Sequence, residues 1–454
     1  MTTASPDQDS HALDGPIIGT FFRYLIPSMV GMLAMMSASL VDGIFIGNFV
    51  GIRALAAVNL LIPIMSILFG VGLMLSIGGS VRAGKYLGEK DTSAASAIFS
   101  KTLSSVLVYG TAVIVMGLVF ESHLFRGLGA DESLFPLMSE YYRILMPFLL
   151  AQLGTIVLYF FIRLDGFPSL TATALVVGAI INIALDYLFI FVFKWELAGA
   201  AWATGISQII PFLVLLLYFF SKKRKLHYKL KQRNWSEVFK AAYNGLSEFI
   251  NEISAGVITF IFNWMLIQRA GVEGVAAITV VNYLMMIGFM IFFSVGDTSQ
   301  VMISQNFGAK NTQRIRHFLM LAGLSIGVVS LLVIFMLLSF SETLISLFLS
   351  DEGSAATIGL ASSFVDYTWP VFLFVGINML ISGYLTAIHL AFQSAVVAVC
   401  RSLVLPAGLL IALYFFFNDN RFVIALPIAE GITFVIALVY FWRHRPTRAV
   451  ALAK

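Results

Sequence analysis

Apolar stretches of 20 or more residues recur along almost the whole chain. Each is long enough to cross the ~30 Å hydrocarbon core of a bilayer as an α-helix, because a helix rises about 1.5 Å per residue. The composition agrees, since only 11% of the residues are charged, whereas soluble domains carry about 25%. The sequence therefore predicts an all-α polytopic membrane protein.

Hydropathy and loop punctuation predict twelve transmembrane helices. They lie near 18–47, 54–82, 94–121, 134–161, 169–193, 198–221, 237–267, 274–302, 315–340, 357–386, 392–417 and 421–443. Lys and Arg are concentrated on one side of the membrane, above all in the run KKRKLHYKLKQR at 222–233. By the positive-inside rule this side is cytoplasmic and holds both termini. The basic run is typical of a topology anchor, and a lipid- or partner-binding patch is the alternative.

The two halves of the chain contain matching blocks. GIRALAAV (51–58) matches GVEGVAAI (271–278), and GEKD (88–91) matches GAKN (308–311), with the same offset in the numbering for both pairs. Later blocks, FPS (167–169) with FQS (392–394) and ATGI (203–206) with AEGI (429–432), match at slightly larger offsets. Because the repeat spans six helices, both copies have the same orientation in the membrane. This predicts two six-helix lobes related by a pseudo-two-fold along the membrane normal, as in some secondary transporters.

The repeat and the helix pattern together predict five segments. They are a polar cytoplasmic N-terminus without an apparent cleaved signal (1–17), an N-terminal lobe (18–221), a basic cytoplasmic linker (222–236), a C-terminal lobe (237–443) and a cytoplasmic tail (444–454).

The stretch LVVGAIINIALDYLFIFVF (175–193) carries a full charge at the middle of a membrane-length helix, where a carboxylate costs ~2.5 kcal/mol or more. Asn182 and Asp186 are four positions apart and therefore share one helix face. The first predicted helix contributes Asp42, and the sixth contributes Thr204. These oxygens could enclose a small hard cation, or the two carboxylates could carry a proton. The alternative is that each acid only satisfies a local hydrogen bond.

The repeat restricts this polar cluster to the N-terminal lobe. At the register above, Asp42 falls opposite Phe262 and Asp186 opposite Ile411. Structural hydrogen bonding would be expected in both lobes, whereas an ion site need exist in only one.

The C-terminal lobe has its own intramembrane acids. They are Glu248, Glu252, Asp297 and Glu430. We expect a substrate site or a second cation site there, or else buried ion pairs and helix-end roles, with Arg401 available to neutralise one acid.

Other residues of the spanning helices suggest a hinge and a cavity. Pro27 removes a backbone hydrogen bond from the first helix and permits a kink, although membrane helices also tolerate proline without function. Adaptable or polar side chains that could line a cavity are Met32, Met35, Ser39 and Met286, and ordinary packing is the alternative for the methionines.

The chain lacks the patterns of enzyme chemistry. HExxH, a GxxxxGK[ST] phosphate loop and a cysteine cluster are all missing, and Cys400 is the single cysteine. We therefore expect no enzyme, no cofactor and no metal other than Na⁺ as a coupling ion.

Several quoted segments resemble the multidrug and toxic compound extrusion (MATE) transporter family. They are VDGIFIGNFVGIRALAAVNL, GGSVRAGKYLGEKD, INIALDYLFI, GAAWATGIS and VGDTSQVMISQNFGAKN. The resemblance covers about 18–443 and implies twelve helices in two lobes, with cation-driven drug efflux. In the branch with an N-lobe cation site, the matching positions are Asp42, Asn182, Asp186 and Thr204, with Pro27 as the kink of helix 1. Another branch places an acid on helix 10, which here reads FVGINMLISGYLTAIHL and has none.

Three functions compete on this basis. The first is a Na⁺- or H⁺-coupled antiporter that exports amphipathic, often cationic compounds by alternating access. The second is a flippase for lipid-linked or other metabolites, which should line its cavity with several Arg or Lys, whereas only Arg401 lies deep within a predicted helix. The third is a membrane enzyme. We predict the antiporter, a monomer in the bacterial inner membrane whose partners are small organic molecules and the lipid bilayer, with no nucleic acid.

Overall fold

The computed structural model describes residues 12–231, 233–346 and 355–452. Within these ranges there is no strand, and twelve helices are long and apolar enough to cross a membrane. In chain order, α1 to α12 are Ile17–Val50, Arg53–Gly88, Thr92–Val119, Glu132–Leu164, Pro168–Val192, Glu196–Phe220, Leu246–Gly271, Glu273–Gly308, Thr312–Ser346, Thr357–Ala387, Ala391–Phe416 and Asn420–Arg443. The predicted all-α architecture with twelve spans is confirmed.

The chain divides into two compact units, Met1–Gly245 and Leu246–Lys454. Among the described residues, each unit holds six of the spanning helices. The predicted seventh helix, 237–267, begins later in the structure, because Ser236–Asn244 forms a separate short helix before α7. The division between the units accordingly lies after the predicted linker 222–236.

The internal repeat is visible in the backbone between the helices. Gly51 and Gly271, which the repeat pairs, both adopt positive φ angles, 119° and 64°, where α1 and α7 end. Such angles favour glycine because it has no Cβ. Asp91 and Asn311, also paired by the repeat, each accept a hydrogen bond from the backbone N–H three positions later, at 2.9 and 3.1 Å, near the start of α3 and α9. The two units therefore repeat turn chemistry as well as helix order.

Small residues allow three helices of the first unit to pack closely. α5 packs against both α1 and α6. A Cβ on Gly31 of α1 would lie 3.0 Å from the Leu175 side chain of α5, and a Cβ on Gly178 of α5 would lie 2.5 Å from the Pro211 ring of α6. Such close approach of spanning helices is typical of small residues at their interfaces. It brings the polar residues of α1, α5 and α6 within reach of one another.

A buried carboxylate anchors the segment that follows α6. Asp165, between α4 and α5, accepts hydrogen bonds at its Oδ2 from the Tyr218 hydroxyl at 2.6 Å and the Lys225 backbone N–H at 2.7 Å. Burial raises the pKa of the Asp165 carboxyl, and these hydrogen bonds act in the opposite direction. The segment after α6 is therefore attached to the membrane-spanning part of the first unit.

Replacing Asp165 by Ala should destabilise the first unit. Removing the acceptor leaves buried donors unpaired, at a cost of about 1–3 kcal/mol for each. Asp165→Asn should cost much less, because its amide oxygen still accepts a hydrogen bond and the burial of a charge is relieved. Thermal unfolding of the purified variants measures both effects, and equal midpoints for Ala and Asn would contradict the anchoring role.

Candidate cation site

Three helices place polar side chains at one position in the first unit. The Asp42 carboxyl, on α1, lies close enough to interact with the Asp186 carboxyl of α5 and the Thr204 hydroxyl of α6. Wider π-helical turns follow both acids, at Ile46–Val50 and Tyr187–Val192. Such turns are frequent at functional sites. The structure thus brings together residues that are far apart in sequence.

The two acids of this cluster differ in depth, since Asp42 is half-buried and Asp186 is fully buried. Asp186 is 0% exposed and Asn182 is 7% exposed. Buried oxygens without a hydrogen bond of standard geometry include Asp42 Oδ1, both carboxylate oxygens of Asp186 and Thr204 Oγ1. A buried polar group without a partner costs free energy, and two adjacent carboxylates cost more. These oxygens form a natural set of ligands for a compensating cation.

Tyr141 is a member of the cluster that the sequence interpretation did not include. It lies on α4, is buried, and interacts with Thr204, Asp42 and Asp186. Its local sequence, EYYRIL, is typical of an aromatic residue at a membrane boundary and contains no signal for an ion site. Only the packing of α4 against the other helices reveals its position.

A cavity of about 170 Å³ opens beside the cluster. Asp42, Asn182 and Thr204 line it together with Gln152 of α4 and Gln208 of α6. The sequence interpretation did not include Gln152 and Gln208. Both are polar residues in spanning helices, and this is the same criterion that identified Asn182.

The predicted cavity-lining residues divide into two groups. Met35 and Ser39 line the cavity of the first unit. Met32 and Met286 are half-buried in their helices, and Met285, the neighbour of Met286, lines a second cavity that lies within the second unit.

The acids of the second unit have hydrogen-bond partners. The Asn251 amide donates to Glu248 at 3.5 Å, and the Asn378 amide donates to Glu430 at 2.7 Å. Arg401 interacts electrostatically with both carboxylates. This is the neutralising role that the sequence suggested for Arg401.

Glu252 and Asp297 likewise have partners, and Asp297 lies near Glu248. The second cavity, about 450 Å³, is lined by Arg401, Glu430 and Asn251 together with apolar side chains that include Phe289 and Met290. The two units therefore differ in how their buried acids are compensated. Among the described residues, no group of three or more His, Cys, Asp or Glu could hold a metal ion.

Removing a charge should have opposite effects in the two units. Asp186→Asn should raise the unfolding temperature at pH 9 without Na⁺, because it relieves a buried, uncompensated carboxylate. Glu430→Gln should lower the unfolding temperature, because Arg401 loses part of its compensating charge. The expected loss of unfolding free energy is about 1–3 kcal/mol. Thermal unfolding of both variants in the same buffer measures this contrast. A lower midpoint for Asp186→Asn would show that Asp186 is already paired.

Comparison with known proteins agrees with this architecture. The multidrug export protein MepA of Staphylococcus aureus is 25% identical over 443 residues, which cover 95% of each chain. MepA of Staphylococcus saprophyticus is 25% identical over 436 residues, 94% of each chain. A MOP superfamily transporter from Pyrococcus furiosus has the same fold, with a TM-score of 0.89 at 24% identity over 99% of this chain and 100% of the other. A multidrug resistance MATE family transporter in an outward-facing conformation also has a TM-score of 0.89, at 24% identity over 98% and 99%.

The family model described as MatE matches the chain twice, over 27–188 and 249–410. The separation between the starts of the two matches is close to the offset of the internal repeat. Together they cover more than half of the sequence and include most of α1 and α5 and of the corresponding helices of the second unit. The chain belongs to the MatE family of transporters.

Proposed function

We propose that the protein is a cation-coupled antiporter that exports amphipathic, often cationic organic compounds by alternating access. The MepA relatives are named as multidrug export proteins, and the family consists of transporters rather than enzymes. We place the protein, as a monomer without a cofactor, in the inner membrane of a bacterium, with both termini in the cytoplasm.

The observation that carries this proposal is the pair Asp42 and Asp186. The two carboxyls interact inside the membrane-spanning part of the chain, and three of their four oxygens are buried without a hydrogen bond of standard geometry. Burying one ion costs several kcal/mol even after relaxation, and an adjacent like charge adds to this cost. A monovalent cation, either H⁺ or Na⁺, removes the penalty. The site therefore favours a conformation in which that cation is bound, with Asn182 and Thr204 as further oxygen ligands.

The ion and an organic compound would meet in the same cavity. Its 170 Å³ holds about six water molecules at ~30 Å³ each, whereas pockets for drug-sized ligands have volumes of roughly 300–1,000 Å³. Met35 and Leu175 add apolar surface beside Asp42. Binding of an organic compound therefore requires the cavity to enlarge. If cation binding favours the small cavity, binding of the cation weakens binding of the organic compound, and the reverse also holds. This linkage is the basis of antiport.

Helix α1 is suited to this change of size. It continues through Pro27, which cannot donate the hydrogen bond that an interior helical residue normally makes. Met35, Ala38 and Asp42, which line the cavity, all follow Pro27 along α1. Bending at Pro27 would displace this wall of the cavity. An α1 of unchanged curvature with and without the ion, while transport continues, would rule out this step.

The larger cavity in the second unit is proposed as a contact site for the organic substrate. Its 450 Å³ falls within the size range of ligand pockets. Its acids already have hydrogen-bond partners, which makes it less suited to capture a bare cation. The polar groups of Asn251, Arg401 and Glu430 could orient a substrate among apolar side chains.

Asp42→Asn should abolish coupled efflux while leaving membrane insertion intact. The amide keeps the shape of the side chain but neither takes up a proton nor binds Na⁺ strongly. Efflux of a fluorescent organic cation from cells, normalised to the amount of protein in the membrane, measures the effect. Asp131→Asn, a change at an exposed loop, is the matched control and should transport normally. Unchanged efflux in Asp42→Asn would move the coupling site to the acids of the second unit.

An imposed ion gradient should drive transport in proteoliposomes. A Na⁺ gradient and a pH gradient are applied separately, and movement of the fluorescent cation is followed against vesicles that contain Asp42→Asn. We expect one of the gradients to drive transport in the parent protein only. If neither gradient does so while a labelled lipid-linked sugar crosses the membrane, the protein is a flippase and the antiport proposal is wrong.

A further inference from the structure

The short helix Ser236–Asn244 exposes two aromatic side chains and buries two polar ones. Phe239 is 77% exposed and Tyr243 is 55% exposed, and Trp235, just before the helix, is 47% exposed. Each aromatic follows the previous one by four positions, so they form one stripe. On the opposite side, Glu237 is 9% exposed and Asn244 is 4% exposed. A surface helix in water would direct its polar side chains outwards, and this one directs its aromatic side chains outwards.

An ion pair holds the buried face of the helix Ser236–Asn244 against α2. Glu237 accepts hydrogen bonds from Arg82 of α2 at 2.5 Å and from Lys240 at 3.0 Å. Burial alone would raise the pKa of Glu237, but Lys240 and Arg82 more than offset this and hold it below its ordinary value. The side chain is therefore ionised and paired, and the outward stripe is a consequence of this fixed orientation.

The helix lies near the expected boundary of the membrane. It packs on α2, where Gly78 has no side chain and leaves room for the Ala241 carbonyl. α2 has 36 residues, about 54 Å at 1.5 Å per residue, so it extends well beyond a ~30 Å hydrocarbon core. Gly78 lies ten positions, about 15 Å, before the end of α2 at Gly88. If α2 is centred in the bilayer, this position is close to the edge of the core.

The basic segment before this helix is also fixed in place. The backbone N–H groups of His227 and Lys229 donate to Ser96 Oγ at 3.1 Å and Ser100 Oγ at 2.9 Å. Both serines lie on one face of α3, four positions apart. This segment is thus bound along α3 and not a loose tether. Lys222, Lys231 and Arg233 remain exposed, and the neighbouring Leu230 is 89% exposed.

We propose that this surface binds anionic phospholipids. The surface consists of Lys222, Lys231, Arg233, Trp235, Phe239 and Tyr243. Trp and Tyr side chains favour the headgroup level of a bilayer, where an apolar ring and a polar tip are both accommodated, and a Phe ring adds apolar surface on the lipid side. Basic side chains attract anionic headgroups. Because the backbone is already held by Ser96, Ser100 and Asp165, little order has to be gained on binding. The lipid surface covers the aromatic stripe, and the headgroup phosphates lie beside the cations.

The first experiment measures where the stripe lies. Phe239→Cys is labelled with an environment-sensitive fluorophore in nanodiscs, and the unsubstituted protein, whose one cysteine is Cys400, provides the background. Lys90→Cys, in an exposed turn after α2, is the aqueous control. We expect the probe at 239 to emit at shorter wavelength and to be quenched by nitroxide-labelled lipid, and the probe at 90 to be quenched by iodide. Iodide quenching at 239, or shielding there that lipid nitroxide does not affect, would overturn the proposal in favour of water or a protein cover.

The second experiment tests whether stabilisation by an anionic lipid depends on the basic side chains of this surface. Thermal unfolding is compared in nanodiscs of phosphatidylcholine with and without phosphatidylglycerol, for the parent and for the triple variant Lys222→Gln, Lys231→Gln, Arg233→Gln. The matched control removes three exposed charges elsewhere: Lys90→Gln, Lys310→Gln, Arg316→Gln. We expect phosphatidylglycerol to raise the midpoint of the parent and the control, and this rise to be lost in the triple variant.

Three outcomes of the second experiment would reject a lipid site. They are an equal loss in the control, no rise in the parent, and a rise of the same size produced by inorganic phosphate in phosphatidylcholine nanodiscs. The last of these would identify a site for soluble phosphate rather than for lipid.

Discussion

Two carboxyls that interact within the membrane-spanning part of the chain dominate the physics of this protein. Three of the four carboxyl oxygens of Asp42 and Asp186 are buried without a hydrogen bond of standard geometry, so a bound cation or proton would compensate them directly. The rest of the first unit can be understood as support for this arrangement. Close packing at Gly31 and Gly178 brings α1 and α5 together and places α6 beside them. Burying these carboxylates costs several kcal/mol. An ion that removes this cost in one conformation would shift the conformational equilibrium toward it.

The second unit shows that the fold alone does not create such a site. It repeats the helix order and the turn chemistry of the first unit, with Gly271 and Asn311 equivalent to Gly51 and Asp91. Its acids, however, are satisfied by Asn378, Asn251 and Arg401. After duplication, the same architecture therefore supports an uncompensated pair of acids in one unit and a balanced charge network in the other.

The segment between the units has more structure than its composition suggests. A run such as KKRKLHYKLKQR is expected to be solvated and mobile. Its excess of Lys and Arg is by itself enough to predict that this side of the membrane is cytoplasmic. In the structure, Asp165, Ser96 and Ser100 bind its backbone, and the following helix exposes Phe239 while it buries Glu237. The first unit thus carries an ordered segment and an exposed aromatic stripe on the side predicted as cytoplasmic.

The sequence by itself determined the class of the protein, because apolar length and sparse charge permit only spanning helices. It also identified the repeat, and it marked Asp42, Asn182 and Asp186, since a polar residue in such a helix is costly enough to need a reason. Tertiary structure alone decided that Tyr141 joins the cluster. It also decided that the acids of the second unit have partners and that the predicted seventh helix begins at Leu246. Each of these depends on contacts between distant helices, which the local periodicity of a single helix does not encode.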